Sequence, residues 1–161
     1  VGDESTASYT EETIVHSGRQ SMPLFFDNNK QGYSKYSEVE LTLSYPRDWT
    51  EKEVSVLSLW FRGDPSNDPE RIYVAVANGT GAPVVVYHDD PAATQIGAWT
   101  EWMIDLQIFA EQGIDLNDVD RIALGIGTQG NTTAPGGAGK MIFDDIRLFP
   151  IENAIELNKI L

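Results

Sequence analysis

Two adjacent aspartates, Asp144 and Asp145, interrupt an otherwise apolar run, Phe143-Asp144-Asp145-Ile146-Arg147-Leu148. Carboxylates are depleted in β-strands and costly to bury unless a donor or a cation meets them. A calcium ion is one such partner, since it gathers roughly six to eight oxygens from carboxylates, carbonyls and water. Asp144 has the parity of Ile146 and Leu148, which predicts that it turns towards the core and most needs the ion; Asp145 would add a second carboxylate. The turn His16-Ser17-Gly18-Arg19-Gln20-Ser21 offers carbonyl oxygens, from Ser17 and Gln20 among others, and Glu12 or Glu11 offers a further carboxylate. The competing reading is that both acids accept backbone N–H groups of a neighbouring loop or pair with Arg147. The ion would pin the N-terminal and C-terminal strands together and so stabilise the fold rather than perform chemistry.

A second set of residues suits recognition. Sugars present C–H faces that stack on aromatic rings, with polar side chains nearby to hydrogen-bond the hydroxyls. Strand alternation puts Trp60 and Arg62 on an outward face, and Tyr73, Glu38 and Glu40 outward on neighbouring candidate strands. Together these five form the expected carbohydrate surface. The competing reading has Trp60 covered by a loop and Arg62 merely paired with Glu40.

Catalysis is poorly supported. The histidines, His16 and His88, lie in no nucleophile or metal motif, and no phosphate loop or nucleophile elbow is present. Two-carboxylate glycoside hydrolysis is compatible with the composition, but among 25 acids a suggestive pair arises by chance. The expectation is a non-enzyme.

The elements that must position these residues are short strands. Apolar runs at 12–16, 21–27, 38–45, 54–62, 71–78, 84–88, 101–105, 121–127 and 141–149 are separated by turn residues such as Asp27-Asn28-Asn29, Asn78-Gly79-Thr80-Gly81 and Pro135-Gly136-Gly137. Val39, Leu41 and Leu43 alternate with Glu38, Glu40 and Thr42; Leu57, Leu59 and Phe61 alternate with Ser58, Trp60 and Arg62. One-sided strands of this kind build an all-β, two-sheet antiparallel sandwich with a dry interior. Helical patterning is confined to 106–112 and to a tail over 152–161. Residues 1–10 read as a flexible lead-in, 11–150 as the domain, and 151–161 as a tail that docks, extends away, or forms a short helix.

Composition bounds the partners. The 161 residues suit one domain, and 25 acids against 11 bases give a net charge of −14. Nucleic acid and anionic membranes are disfavoured, because both need a cationic face. No run approaches the roughly 20 apolar residues of a membrane-spanning helix. Cysteine is absent, which removes disulfides and thiolate chemistry together.

Five segments, 12–24, 36–38, 57–63, 99–106 and 143–148, together resemble a module abundant in large exported proteins of planctomycete-type bacteria. That module is similar to the calcium-stabilised β-jelly-roll carbohydrate-binding modules of the galactose-binding-like superfamily. The resemblance covers about residues 12–150. It implies a jelly roll, a structural Ca²⁺ ligated by Asp144 with carbonyls from Ser17 to Ser21, and a polysaccharide or oligosaccharide ligand. It also implies an extracellular or cell-surface setting, as a monomeric module of a multidomain bacterial protein. Such modules usually open with a strand bearing a Phe-Glu-like pair that supplies a metal ligand, and no such pair precedes Thr13. The alternative function is a structural or adhesion sandwich that contacts protein and binds no sugar.

Overall fold

In the computed structural model, which describes residues 10–150, eight strands form two four-stranded antiparallel sheets. In the first sheet β1 (Met22–Asp27) lies beside β8 (Ala138–Phe149), followed by β3 (Val56–Arg62) and β6 (Thr100–Asp105). In the second, β2 (Tyr36–Thr42) lies beside β7 (Arg121–Gly127), followed by β4 (Ile72–Ala77) and β5 (Val84–Tyr87). Among the described residues one short α-helix, α1 (Gln107–Glu111), and two 3-10 turns interrupt the strands; Phe109 of α1 plugs the core.

The sequence dictates this layering through its period of two. Leu57, Leu59 and Phe61 of β3, Ile72, Val74 and Val76 of β4, and Leu124 and Ile126 of β7 meet in the interior with Met141 and Phe143 of β8. All six residues of β4 are buried, because its outer face is covered as well as its inner one. Trp49 closes one end of the core and donates its indole N–H to the Pro46 carbonyl at 3.1 Å. Every buried side-chain nitrogen and oxygen among the described residues has a hydrogen-bond partner.

Two expectations are corrected. Residues 12–16 form no strand; the backbone pairing nearest to them is an isolated bridge between Glu11 and Ser21. Its amides are taken by carboxylates instead, those of Thr13 and Ile14 by Glu11 and those of His16 and Ser17 by Asp144. With its donors committed to side chains, the segment cannot enter a ladder.

The second correction concerns parity. Opposite β3, β8 carries one extra residue: Trp60 faces Asp144, but Ser58 faces Arg147. Asp145 sits at φ 48°, the left-handed conformation that such a bulge requires and that Asp tolerates better than most residues. The inserted residue exchanges the faces. Met141 and Phe143 point inward before it and Leu148 packs on the core after it, so Asp144 lies on the outer face beside Trp60. It is not turned towards the core. The expected lead-in and tail fall outside the described residues, apart from Thr10.

Candidate functional site

The outer face of the first sheet is occupied by the chain itself. Residues 10–21 cross it, and the His16 ring stacks on Trp60 at 3.8 Å and 17° between planes. Trp99 meets the same imidazole edge-on at 5.5 Å. Beneath this stack Asp144 Oδ2 accepts the amides of His16 at 2.9 Å and Ser17 at 3.1 Å, and Oδ1 accepts its neighbour's amide at 2.7 Å. Asp145 is bound by His16 Nδ1 at 2.7 Å, by the Ser17 hydroxyl at 2.6 Å and by Arg147 at 2.6 Å. Those donors, His16 first, hold its carboxyl below the usual range.

The Asp144–Asp145 pair therefore is a clasp, and protein donors close it. Three backbone N–H groups donate to the Asp144 carboxylate. Glu12 is engaged by Gln20 at 3.4 Å, while Glu11 takes Lys140 at 2.9 Å. The Lys140 ammonium and the Thr13 and Ile14 amides lower the Glu11 pKa to about 2. Among the described residues no cluster of three or more acidic or histidine side chains gathers around a point. Of the set expected to hold calcium, Asp144, Asp145 and Ser17 meet in the clasp, while Glu12 and Gln20 pair with each other.

The five residues expected to bind sugar are divided between opposite sides of the sandwich. Trp60 and Arg62 lie on the first sheet, where Trp60 is capped by His16. Tyr73, Glu38 and Glu40 lie on the outer face of the second sheet, with β4 and β2 flanking β7.

That second face carries aromatic and charged side chains. Tyr73 lies flat over Gly125, where a Cβ would stand 2.0 Å from the ring, so only glycine leaves room for it. Its hydroxyl donates to Glu38 Oε2 at 2.6 Å, and burial together with that carboxylate pushes the phenol well above its ordinary pKa. Around the buried Tyr73, Ala75 and Ala123 pack the half-buried Tyr36, Val85 and Tyr87. Tyr87 meets Tyr73 edge-on at 5.5 Å, carries the Arg71 guanidinium at 4.4 Å over its ring, and accepts the Gln129 amide at 3.1 Å. Further along β7, Arg121 lies 3.4 Å from Glu40 and donates to the Gly79 and Gly81 carbonyls. The outcome is an aromatic patch on a floor of small residues, bordered by two arginines and two glutamates.

Tyr36, Tyr87 and Arg71 escaped the sequence reading. Tyr36 opens β2 and so lies at the end of its alternating run. Tyr87 ends a four-residue strand, Val84–Tyr87, whose two faces are both apolar, so alternation could not choose its side. Arg71 precedes β4.

Two antiparallel sheets in this order define a β-sandwich of the jelly-roll type. The same fold recurs in solved carbohydrate-binding modules. A family 11 module from Clostridium thermocellum, solved with a β-1,3-1,4-mixed-linked tetrasaccharide, superposes with TM-score 0.58 at 16% identity over 88% of this chain and 81% of that one. A family 30 module of a cellulosomal cellulase from the same organism gives TM-score 0.61 at 15% identity over 89% and 82%. An exo-β-agarase contains a similar unit, with TM-score 0.61 at 15% identity over 88% of this chain and 22% of that enzyme. No protein-family model and no curated protein sequence matches the chain.

Proposed function

We propose that this protein is a non-catalytic carbohydrate-binding module that holds a neutral oligosaccharide or polysaccharide against the outer face of its second sheet. Tyr36 and Tyr87 supply the stacking surface. Glu38, Glu40, Arg71 and Arg121 supply hydrogen bonds to hydroxyls, and Tyr73 is a buried support that fixes Glu38 in place. One observation carries the reading: a half-exposed tyrosine patch bordered by charged groups. The fold shared with saccharide-binding modules supports it. The net charge of −14 favours an uncharged glycan over an acidic one. On this reading Trp60 and Arg62 belong to the clasp face and take no part in binding, and the module requires no calcium to hold its ligand. It acts as a monomeric part of a larger exported bacterial protein.

A second reading, protein-to-protein contact by a structural sandwich, is favoured by the extent to which Glu38 and Glu40 already pair with Tyr73 and Arg121. Electrophoresis of the protein in gels containing neutral β-glucans, galactans or agarose separates the two. Retardation that disappears in Tyr87→Ala supports sugar binding. Unchanged mobility in every gel supports the structural reading.

A further inference from the structure

The turn between β4 and β5 carries a chemically reactive pair. Asn78-Gly79 is the single Asn-Gly dipeptide in the chain. In such a pair the glycine amide nitrogen can attack the asparagine side-chain carbonyl, because no Cβ on the following residue obstructs the approach. The new C–N bond expels ammonia and closes a succinimide ring. Water then opens that ring at either carbonyl, leaving aspartate or isoaspartate. Asn78 is half-buried and Gly79 is exposed, so solvent reaches the pair.

In the folded protein both reacting groups are engaged elsewhere. The Gly79 N–H donates to Asp120 Oδ2. The Asn78 side-chain nitrogen donates to the carbonyls of Asp115 at 2.9 Å and Asp118 at 2.7 Å, and its oxygen accepts the Asp115 N–H at 2.7 Å. The turn around them is pinned as well. Arg121 donates to the carbonyls of Gly79 at 3.0 Å and Gly81 at 2.7 Å, and the Gly81 N–H closes onto the Asn78 carbonyl at 2.9 Å. Asp120 is itself held by Arg47 and by its own N–H, which donates to the Ala77 carbonyl at 3.1 Å. Ring closure brings the Asn78 side-chain carbon onto the Gly79 nitrogen. It therefore breaks the three Asn78 side-chain bonds and the Gly79–Asp120 bond together.

We propose that Asn78 is a site of self-modification, kept closed while Asp120 holds the Gly79 amide and deamidated when the turn at 78–81 opens. The product unties the loops it came from. An aspartate at 78 has no N–H for the Asp115 and Asp118 carbonyls and sets a charge against them. Isoaspartate in addition lengthens the backbone by one carbon. The modification thus favours the same opening that produces it.

The test is incubation of the full chain in mildly alkaline buffer, with succinimide and isoaspartate at residue 78 read by peptide mass spectrometry. The folded parent reacts roughly tenfold or more slowly than the parent in denaturant, because reaction waits on local opening. Asp120→Ala raises the folded-state rate several-fold. Gly125→Val overpacks Tyr73 and lowers the melting temperature with the turn intact, so its rate stays parental. Asn78→Asp, which installs the product, melts a few degrees below the parent. Four results would overturn the proposal: a folded parent as reactive as the unfolded chain, an Asp120→Ala rate equal to the parental one, equal acceleration in Gly125→Val, which would make protection a matter of global stability, or parental melting of Asn78→Asp.

Discussion

Gly125 and Tyr73 form the smallest unit of the candidate site. The ring needs the space that a side chain at 125 would fill, and its hydroxyl then aims Glu38. Gly125→Val overpacks that contact at a cost of about 1–3 kcal/mol, read as a melting temperature several degrees lower in calorimetry. Tyr73→Phe keeps the ring and removes the bond to Glu38, so a loss of sugar retention with little change in melting would show that Glu38 must be held. Glu11 provides a pH signature. Its folded pKa, about 2, lies below the ordinary carboxyl value of 4.5, so its contribution to stability is fully present above pH 4.5 and is lost as pH falls towards 2. Thermal melts across that window should fall more steeply for the parent than for Glu11→Gln; parallel curves would mean that the Lys140 contact does not stabilise the fold.

The bulge in β8 shows what an element does to its residues. A single extra residue at Asp145 moves Asp144 to the outer face, where it organises His16 and Ser17 and so drapes residues 10–21 over Trp60. Asp144→Ala leaves those amides without their acceptor and should cost about 1–3 kcal/mol, with the His16–Trp60 stack loosened and tryptophan emission shifted to the red. Because protein donors close the clasp, EDTA should leave the melting temperature unchanged; a fall reversed by calcium would place an ion there. Strand alternation was sufficient to find β1 to β8, since Leu57-Leu59-Phe61 and Ile72-Val74-Val76 bury one face each. It failed at Asp144 because a bulge inverts parity without any mark in the apolar pattern. It failed at residues 12–16 because an apolar run was tied down by carboxylates remote in sequence, Asp144 being 128 positions from His16.

At the scale of the whole molecule the sandwich has two outer faces of different build. One is folded over by the chain's own N-terminal segment and serves as a clasp; the other presents tyrosines, arginines and glutamates to solvent. The jelly roll was legible from patterning and from the resemblance of the segments around Trp60 and Asp144. Of the five residues expected to meet a sugar, Tyr73, Glu38 and Glu40 stand on the second sheet, the face proposed to bind, while Trp60 and Arg62 stand on the first. Parity tells inward from outward along a strand, but it does not say which of two sheets the strand joins. Affinity electrophoresis of Tyr87→Ala and Trp60→Ala beside the parent protein tests this division most directly. With a polysaccharide that retards the parent, Tyr87→Ala should migrate as in a sugar-free gel and Trp60→Ala should be retarded like the parent. Loss of retardation in Trp60→Ala with full retardation in Tyr87→Ala would place the binding surface on the other face and contradict the account.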